Sequence, residues 1–117
     1  MNDYKRILLV EDDRRDAEMT LEALASNNLV NEVMAVEDGA EALDYLRRCG
    51  VFSLRAPGNP AIVILDLKLP KVNGIEVLKA IRADETLRLI PVVMLTSSAE
   101  EKDLIESYRL GANGYVV

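Results

Sequence analysis

Apolar residues along this chain alternate between two habits. Short branched runs fit strands, and longer segments with apolar positions every three to four residues fit helices. Ile7-Leu8-Leu9-Val10 is the first run, and it ends in three acids, Glu11, Asp12 and Asp13. The following segment carries Ala17, Leu21 and Leu24 at i, i+4 and i+7, which predicts a helix with that stripe buried, stopped by Asn27-Asn28. Glu32 to Val36 alternates weakly, as an edge strand does. Asp38-Gly39-Ala40-Glu41 has the form of a capping box, with Asp38 as N-cap and Glu41 at N3. The helix it opens turns Ala42, Leu43 and Leu46 inward and ends near Gly50.

A loop from Phe52 to Pro60 holds Pro57, Gly58 and Pro60, and the strongest strand of the chain follows it. Five consecutive apolar residues, Ala61 to Leu65, predict a strand buried on both faces, the habit of a central strand in a parallel sheet. Asn73-Gly74-Ile75-Glu76 caps a helix with Val77, Leu78 and Ile81 facing the core. Ile90 to Leu95 is a further strand with Pro91 near its start, ending in Thr96-Ser97-Ser98. Ser98 and Glu101 form another capping box, opening a helix lined by Leu104, Ile105 and Tyr108. Gly114-Tyr115-Val116-Val117 is a fifth strand. Strands alternating with helices predict parallel pairing with right-handed crossovers and helices on both faces, within a single domain over residues 1–117. The expected fold is a flavodoxin-like, doubly wound five-stranded sheet in the order 2-1-3-4-5.

Composition removes several classes of function. A formal charge of −6 argues against nonspecific binding to nucleic acid. No apolar run approaches the length of a membrane span. Cys49 is single, which rules out an intrachain disulfide and suits a reducing, cytoplasmic setting. The absence of histidine excludes Ser/His/Asp and Cys/His catalysis and histidine-based metal sites.

What remains is a set of polar residues at strand ends. In doubly wound sheets the functional crevice lies beyond the carboxyl ends of the strands, where strand order reverses. The first strand delivers Glu11 and Asp12 there, the third Asp66, and the fourth Thr96 and Ser97. Converging carboxylates repel one another, and a hard divalent cation with oxygen ligands is the ordinary remedy. Too few side-chain oxygens gather for a calcium cage, so Mg²⁺ is the expected ion. With a cation in place, Asp66 can act as a carboxylate nucleophile towards a phosphoryl group, and Thr96 can hydrogen-bond the new phosphoryl oxygens.

The ordered set of motifs resembles a bacterial two-component response-regulator receiver domain of the chemotaxis-regulator type. The matching pieces are Ile7-Leu8-Leu9-Val10-Glu11-Asp12, Ile64-Leu65-Asp66-Leu67-Lys68-Leu69-Pro70 with Gly74, Met94-Leu95-Thr96-Ser97, and Gly111-Ala112-Asn113-Gly114-Tyr115. The Phe52–Pro60 loop is similar to that of the small receivers paired with phytochrome-type histidine kinases. The resemblance implies Asp66 as phospho-acceptor, Asp12 as direct Mg²⁺ ligand and Glu11 as an acid acting largely through water. It implies that the main-chain carbonyl of Lys68 completes the ion's shell. Thr96 would move towards the phosphoryl group, and Tyr115 would swing inward as a switch aromatic. It also implies a lysine at the position beyond Val117 and a final helix. The sequence stops short of both, so a truncated receiver with an uncovered edge, open to dimerisation, is expected.

The resulting expectation is a phosphorylation-dependent switch that takes its phosphoryl group from a sensor histidine kinase and signals to an output protein by a surface change. It would not be a turnover enzyme. An inert receiver-like interaction domain, and an aspartyl-phosphate phosphatase, stand as alternatives. The phosphatase is disfavoured by Lys68, because such enzymes place a second acid two residues after the nucleophile.

Overall fold

A computed structural model describes residues 6–26, 32–67, 69, 72–95 and 101–116, without the side chains of residues 101–104 and 115. Five strands alternate with four α-helices: β1 (Arg6–Val10), α1 (Arg14–Ser26), β2 (Glu32–Val36), α2 (Gly39–Arg47), β3 (Ile62–Asp66), α3 (Gly74–Ala83), β4 (Val92–Leu95), α4 (Glu101–Arg109) and β5 (Gly114–Val116). The strands form one sheet in the order β2-β1-β3-β4-β5, and every pairing is parallel. Strand order reverses between β1 and β3, where Val10 lies opposite Leu65.

Capping chemistry sets the helix starts. The Asp13 carboxylate accepts from the amides of Arg15 (2.8 Å) and Asp16 (3.1 Å) and begins α1. Asp38 accepts from the Glu41 amide at 2.7 Å, while the Glu41 carboxylate reaches back to the Glu37 amide at 3.0 Å. Asn73 accepts from the Glu76 amide at 3.0 Å. The capping box read at Ser98 lies outside the described residues. Helix α2 closes on Arg48, which adopts the left-handed conformation at φ 56° although it is not a glycine.

The core lies between the sheet and α2 and α3. Leu8, Val10, Val63, Leu65, Val92 and Met94 meet Ala42, Leu46, Val77, Leu78 and Ile81, all of them buried. Tyr45 is buried as well, which the α2 pattern did not indicate.

The opposite face corrects two expectations. Helix α1 has no buried residue, and Leu21 is exposed. Ile62 and Ile64 of β3 are only half-buried, so β3 is covered on one face alone. The cause is an open apolar hollow of about 410 Å³, lined by Met19, Thr20 and Ala23 of α1 and by Ile62, Ile64, Val93, Leu95 and Val116. A third correction concerns α4. Ile105 and Tyr108 are half exposed, and it is Ser107 that is buried, because the inward face of this short helix is set by its approach to β5.

Two arginines tie the loops at the amino ends of the strands. Arg82, at the end of α3, donates to the carbonyls of Arg88, Ile90 and Gly111 and to Asn113 Oδ1, at 2.7 to 3.0 Å. The same Asn113 oxygen accepts from the Val92 amide at 2.9 Å, so one guanidinium links α3 to the beginnings of β4 and β5. Arg55 closes the loop after α2 by donating to the carbonyls of Tyr45, Leu46, Ala56 and Gly58 while lying 4.3 Å over the Tyr45 ring. Replacing Arg82 by Ala strands several carbonyls at once and is expected to cost about 2–4 kcal/mol. Urea unfolding of R82A would read this directly, with R82K recovering only part of the loss because an ammonium cannot span the same fork of acceptors.

Candidate phosphoryl-acceptor and metal site

Parallel pairing in register carries Glu11 and Asp66 to the same end of adjacent strands, since the residues before them, Val10 and Leu65, lie opposite one another. The ladder runs one residue beyond β1, because the Glu11 amide donates to the Val36 carbonyl at 3.0 Å. That holds Glu11 down in the crevice, 7% exposed, while Asp12 stays at the exposed rim and Asp66 is half-buried. Ligand oxygens of Glu11, Asp12 and Asp66 lie within 4.8 Å of one another.

The β3–α3 connection is pressed against this end of the sheet. A side chain at Gly74 would fall on the Asp66 carbonyl and on the backbone of Leu67, and the Gly74 amide donates to the Leu67 carbonyl at 2.9 Å. Glycine is required here by close backbone approach. On the other side, the Leu67 amide donates to the Leu95 carbonyl at 3.1 Å, which brings the end of β4 alongside Asp66.

Crowded charge shows in the electrostatics. Burial pushes the Glu11 carboxyl from 4.5 up to about 8. Repulsion from Asp66, and hydrogen bonds that the protonated Glu11 carboxyl donates to Asp66 and Asp12, push in the same direction, and the Asp13 amide, donating to Glu11 Oε2 at 3.1 Å, opposes them. A site that protonates one of its own acids lacks positive charge. Three carboxylates at this spacing, one of them rim-exposed, fit a hard divalent cation that keeps positions open for other oxygen ligands.

The structure thus brings together three of the residues read from the sequence: Asp12, Asp66 and Glu11. Glu11 is buried in the crevice, and Asp13 is the α1 cap. Lys68, Thr96, Ser97 and Ser98 lie outside the described residues. Tyr115 is placed by its backbone in β5, opposite Met94, and its side chain lies outside them too. Gly74 was visible in the sequence as part of a motif. Its contact with the Asp66 backbone was not, because only the folded loop creates it.

Residues 7–117 match the response regulator receiver domain. The chain belongs to that family. Rcp1, a response regulator of Synechocystis sp., is 40% identical over 115 residues, 98% of this chain and 77% of that protein. Its Mn²⁺-bound form superposes with a TM-score of 0.88 over 96% of this chain and 79% of that one, at 39% identity. The bacteriophytochrome response regulator RtBRR is 63% identical, with a TM-score of 0.89 over 96% of this chain and 68% of that one. The phosphorylated cyanobacterial phytochrome response regulator RcpA is 44% identical, with a TM-score of 0.89 over 97% and 80%. The receiver's relatives therefore include phytochrome-associated response regulators. Among its described residues no helix is long and apolar enough to cross a membrane.

The raised Glu11 value gives the metal-free receiver a definite pH dependence. Native Glu11 keeps its proton up to about pH 8 while the unfolded chain releases it near 4.5, so the native state binds more protons between those limits. Stability in EDTA should be greatest below that window and fall as pH rises through it. E11Q should flatten the profile when followed by urea unfolding across the window, and a wild-type profile rising with pH would contradict the assignment.

Proposed function

We propose that this receiver domain is a phosphorylation-dependent switch in a two-component relay, with Asp66 as its phospho-acceptor. The observation that carries the reading is the convergence of Glu11, Asp12 and Asp66 within 4.8 Å at the switch point of the sheet. A carboxylate oxygen of Asp66 attacks phosphorus, and the bond from phosphorus to the donor's histidine nitrogen breaks, leaving an aspartyl-phosphate and a free imidazole. Asp12 and Asp66 would hold Mg²⁺ directly, Glu11 would act largely through water, and the Lys68 carbonyl would complete the shell. The ion's chemistry is to neutralise the charge that accumulates as phosphoryl oxygens approach these acids.

Each residue then has a separate task. Asp66 is the nucleophile. Asp12, at the exposed rim, would hold the ion where an incoming group has a path from solvent. Buried Glu11 surrenders its proton when positive charge arrives. Thr96 follows Leu95, the residue opposite Asp66 in the sheet, and its hydroxyl would hydrogen-bond the transferred phosphoryl group. Tyr115, in the strand beside β4, would report that movement to the surface formed by α4 and β5. Mn²⁺ in Rcp1 and phosphorylation of RcpA support the ion class and the chemistry by relationship. The names of RtBRR and RcpA favour a phytochrome-type histidine kinase as donor. The protein acts stoichiometrically and is not a turnover enzyme. Lys68, two residues after Asp66, stands where a phosphatase needs its general acid. Phosphoryl transfer from such a kinase would take place in the cytoplasm, and an output protein would read the altered surface.

Incubation with acetyl phosphate and Mg²⁺, followed by intact-mass measurement, should add one phosphoryl group. D66N and EDTA should abolish it, and D12N should slow it by roughly tenfold or more. Unchanged labelling in D66N would contradict the assignment of the acceptor. No labelling of the wild type would favour an inert interaction domain.

A further inference from the structure

Helix α4 buries a polar side chain between apolar ones that stand half outside. Among its described side chains, residues 105–109, only Ser107 is buried, at 0% exposure, while Ile105 and Tyr108 are 54% and 50% exposed. The Ser107 hydroxyl has no hydrogen-bond partner, and among the described residues it is the only buried side-chain oxygen or nitrogen in that condition. A serine inside a helix can return its hydroxyl to the carbonyl one turn back, but this one does not. A hydroxyl buried in this way loses its hydration and receives nothing in exchange. The seat of α4 on β5 thus rests on a group that works against it. The turn after the helix, by contrast, is fixed. The amides of Leu110, Gly111 and Ala112 donate to the carbonyls of Glu106, Tyr108 and Ser107 at 2.9 to 3.1 Å. Arg82 holds the Gly111 carbonyl at 2.7 and 3.0 Å and Asn113 Oδ1 at 2.9 Å. Motion that relieves Ser107 therefore belongs to the helix, pivoting on this turn.

We propose that Ser107 is a positioning residue of this receiver: its buried, unpaired hydroxyl weakens the seat of α4 and holds the helix close to balance with a shifted position in which water reaches that oxygen. The inference rests on the switch reading and deepens it, since a charge change at Asp66 can redirect α4 only if the two positions are close in free energy. One row of the sheet joins the two places. Asp66 lies opposite Leu95 of β4, and Leu95 lies opposite Val116 of β5, the strand on which α4 packs. The cost of one orphaned hydroxyl amounts to roughly tenfold in the balance between the two positions.

Two substitutions separate the oxygen from helix propensity. S107A removes the hydroxyl and also favours the helix, whereas S107C supplies a thiol that makes little demand for a partner at a propensity close to that of serine. In metal-free, unphosphorylated protein, peptide-resolved amide hydrogen exchange should show α4 protected roughly tenfold more in both variants, with α2 and α3 unchanged. Labelling with acetyl phosphate and Mg²⁺ should change α4 protection in the wild type, and should change it at least about threefold less in S107C. Protection of α4 that is unaltered in both variants, or raised in S107A alone, overturns the proposal. A rise shared equally by α2 and α3 overturns it too, because the hydroxyl then acts on the whole fold and not on the seat of one helix. A wild type that takes no phosphoryl group overturns the coupling together with the switch reading, whereas the exchange comparison, made without phosphate or metal, decides the seating effect by itself.

Discussion

Three carboxylates whose oxygens are held within 4.8 Å of one another are the constraint around which this domain is arranged. Nothing in the local chemistry of Glu11, Asp12 and Asp66 favours their meeting. They are brought together by parallel registration of β1 with β3, continued by the Glu11 amide into the β2 ladder. The apolar strands supply the binding force: Leu8, Val10, Val63 and Leu65 are buried completely, and they cannot slip by one residue without turning their side chains to the wrong face. The repulsion is therefore sustained by the core. It remains available as a demand for positive charge, which a divalent cation can meet.

The remainder of the structure divides into an end that must stay open and an end that is locked. At the acid cluster, the backbone of the β3–α3 connection lies directly against Gly74, and Asp12 stands exposed at the rim. At the opposite end Arg55 and Arg82 saturate the loop carbonyls. Their guanidinium groups act as multivalent caps on chain segments distant in sequence. The proposed switch would need this contrast, since a surface change can be transmitted only against elements that do not move with it.

Much of this was legible in the residues. The alternation of short branched runs with helical periodicity led to a parallel, doubly wound sheet, and the clustering of polar residues after the apolar runs led to Asp12, Asp66 and Glu11. Caps at Asp38 and Asn73 could be read because their side chains act locally. The readings that failed concern coverage. The stripe of Ala17, Leu21 and Leu24 and the branched side chains Ile62 and Ile64 are suited to burial, yet periodicity reports only which face is apolar, never whether another element lies over it. Ile105 and Tyr108 failed for a related reason, since in a helix as short as α4 several registers fit the same pattern and its approach to β5 decides. The two arginine clamps carried no local signal, because their acceptors are mostly main-chain carbonyls, up to 29 residues away. Tyr115 illustrates the reach of the sequence in another way: its position in β5 follows from pattern, whereas its part in switching rests on family resemblance.

The most direct test of the central claim is the proton balance of metal binding. A Glu11 carboxyl raised to about 8 is mostly protonated at neutral pH, and a divalent cation seated among the three acids must expel that proton. Calorimetric titration of Mg²⁺ into metal-free protein at neutral pH, in two buffers of different ionisation enthalpy, measures the protons released per ion bound. The account predicts release of most of one proton in the wild type and almost none in E11Q. Mg²⁺ binding with no proton release, or release unchanged in E11Q, would contradict it.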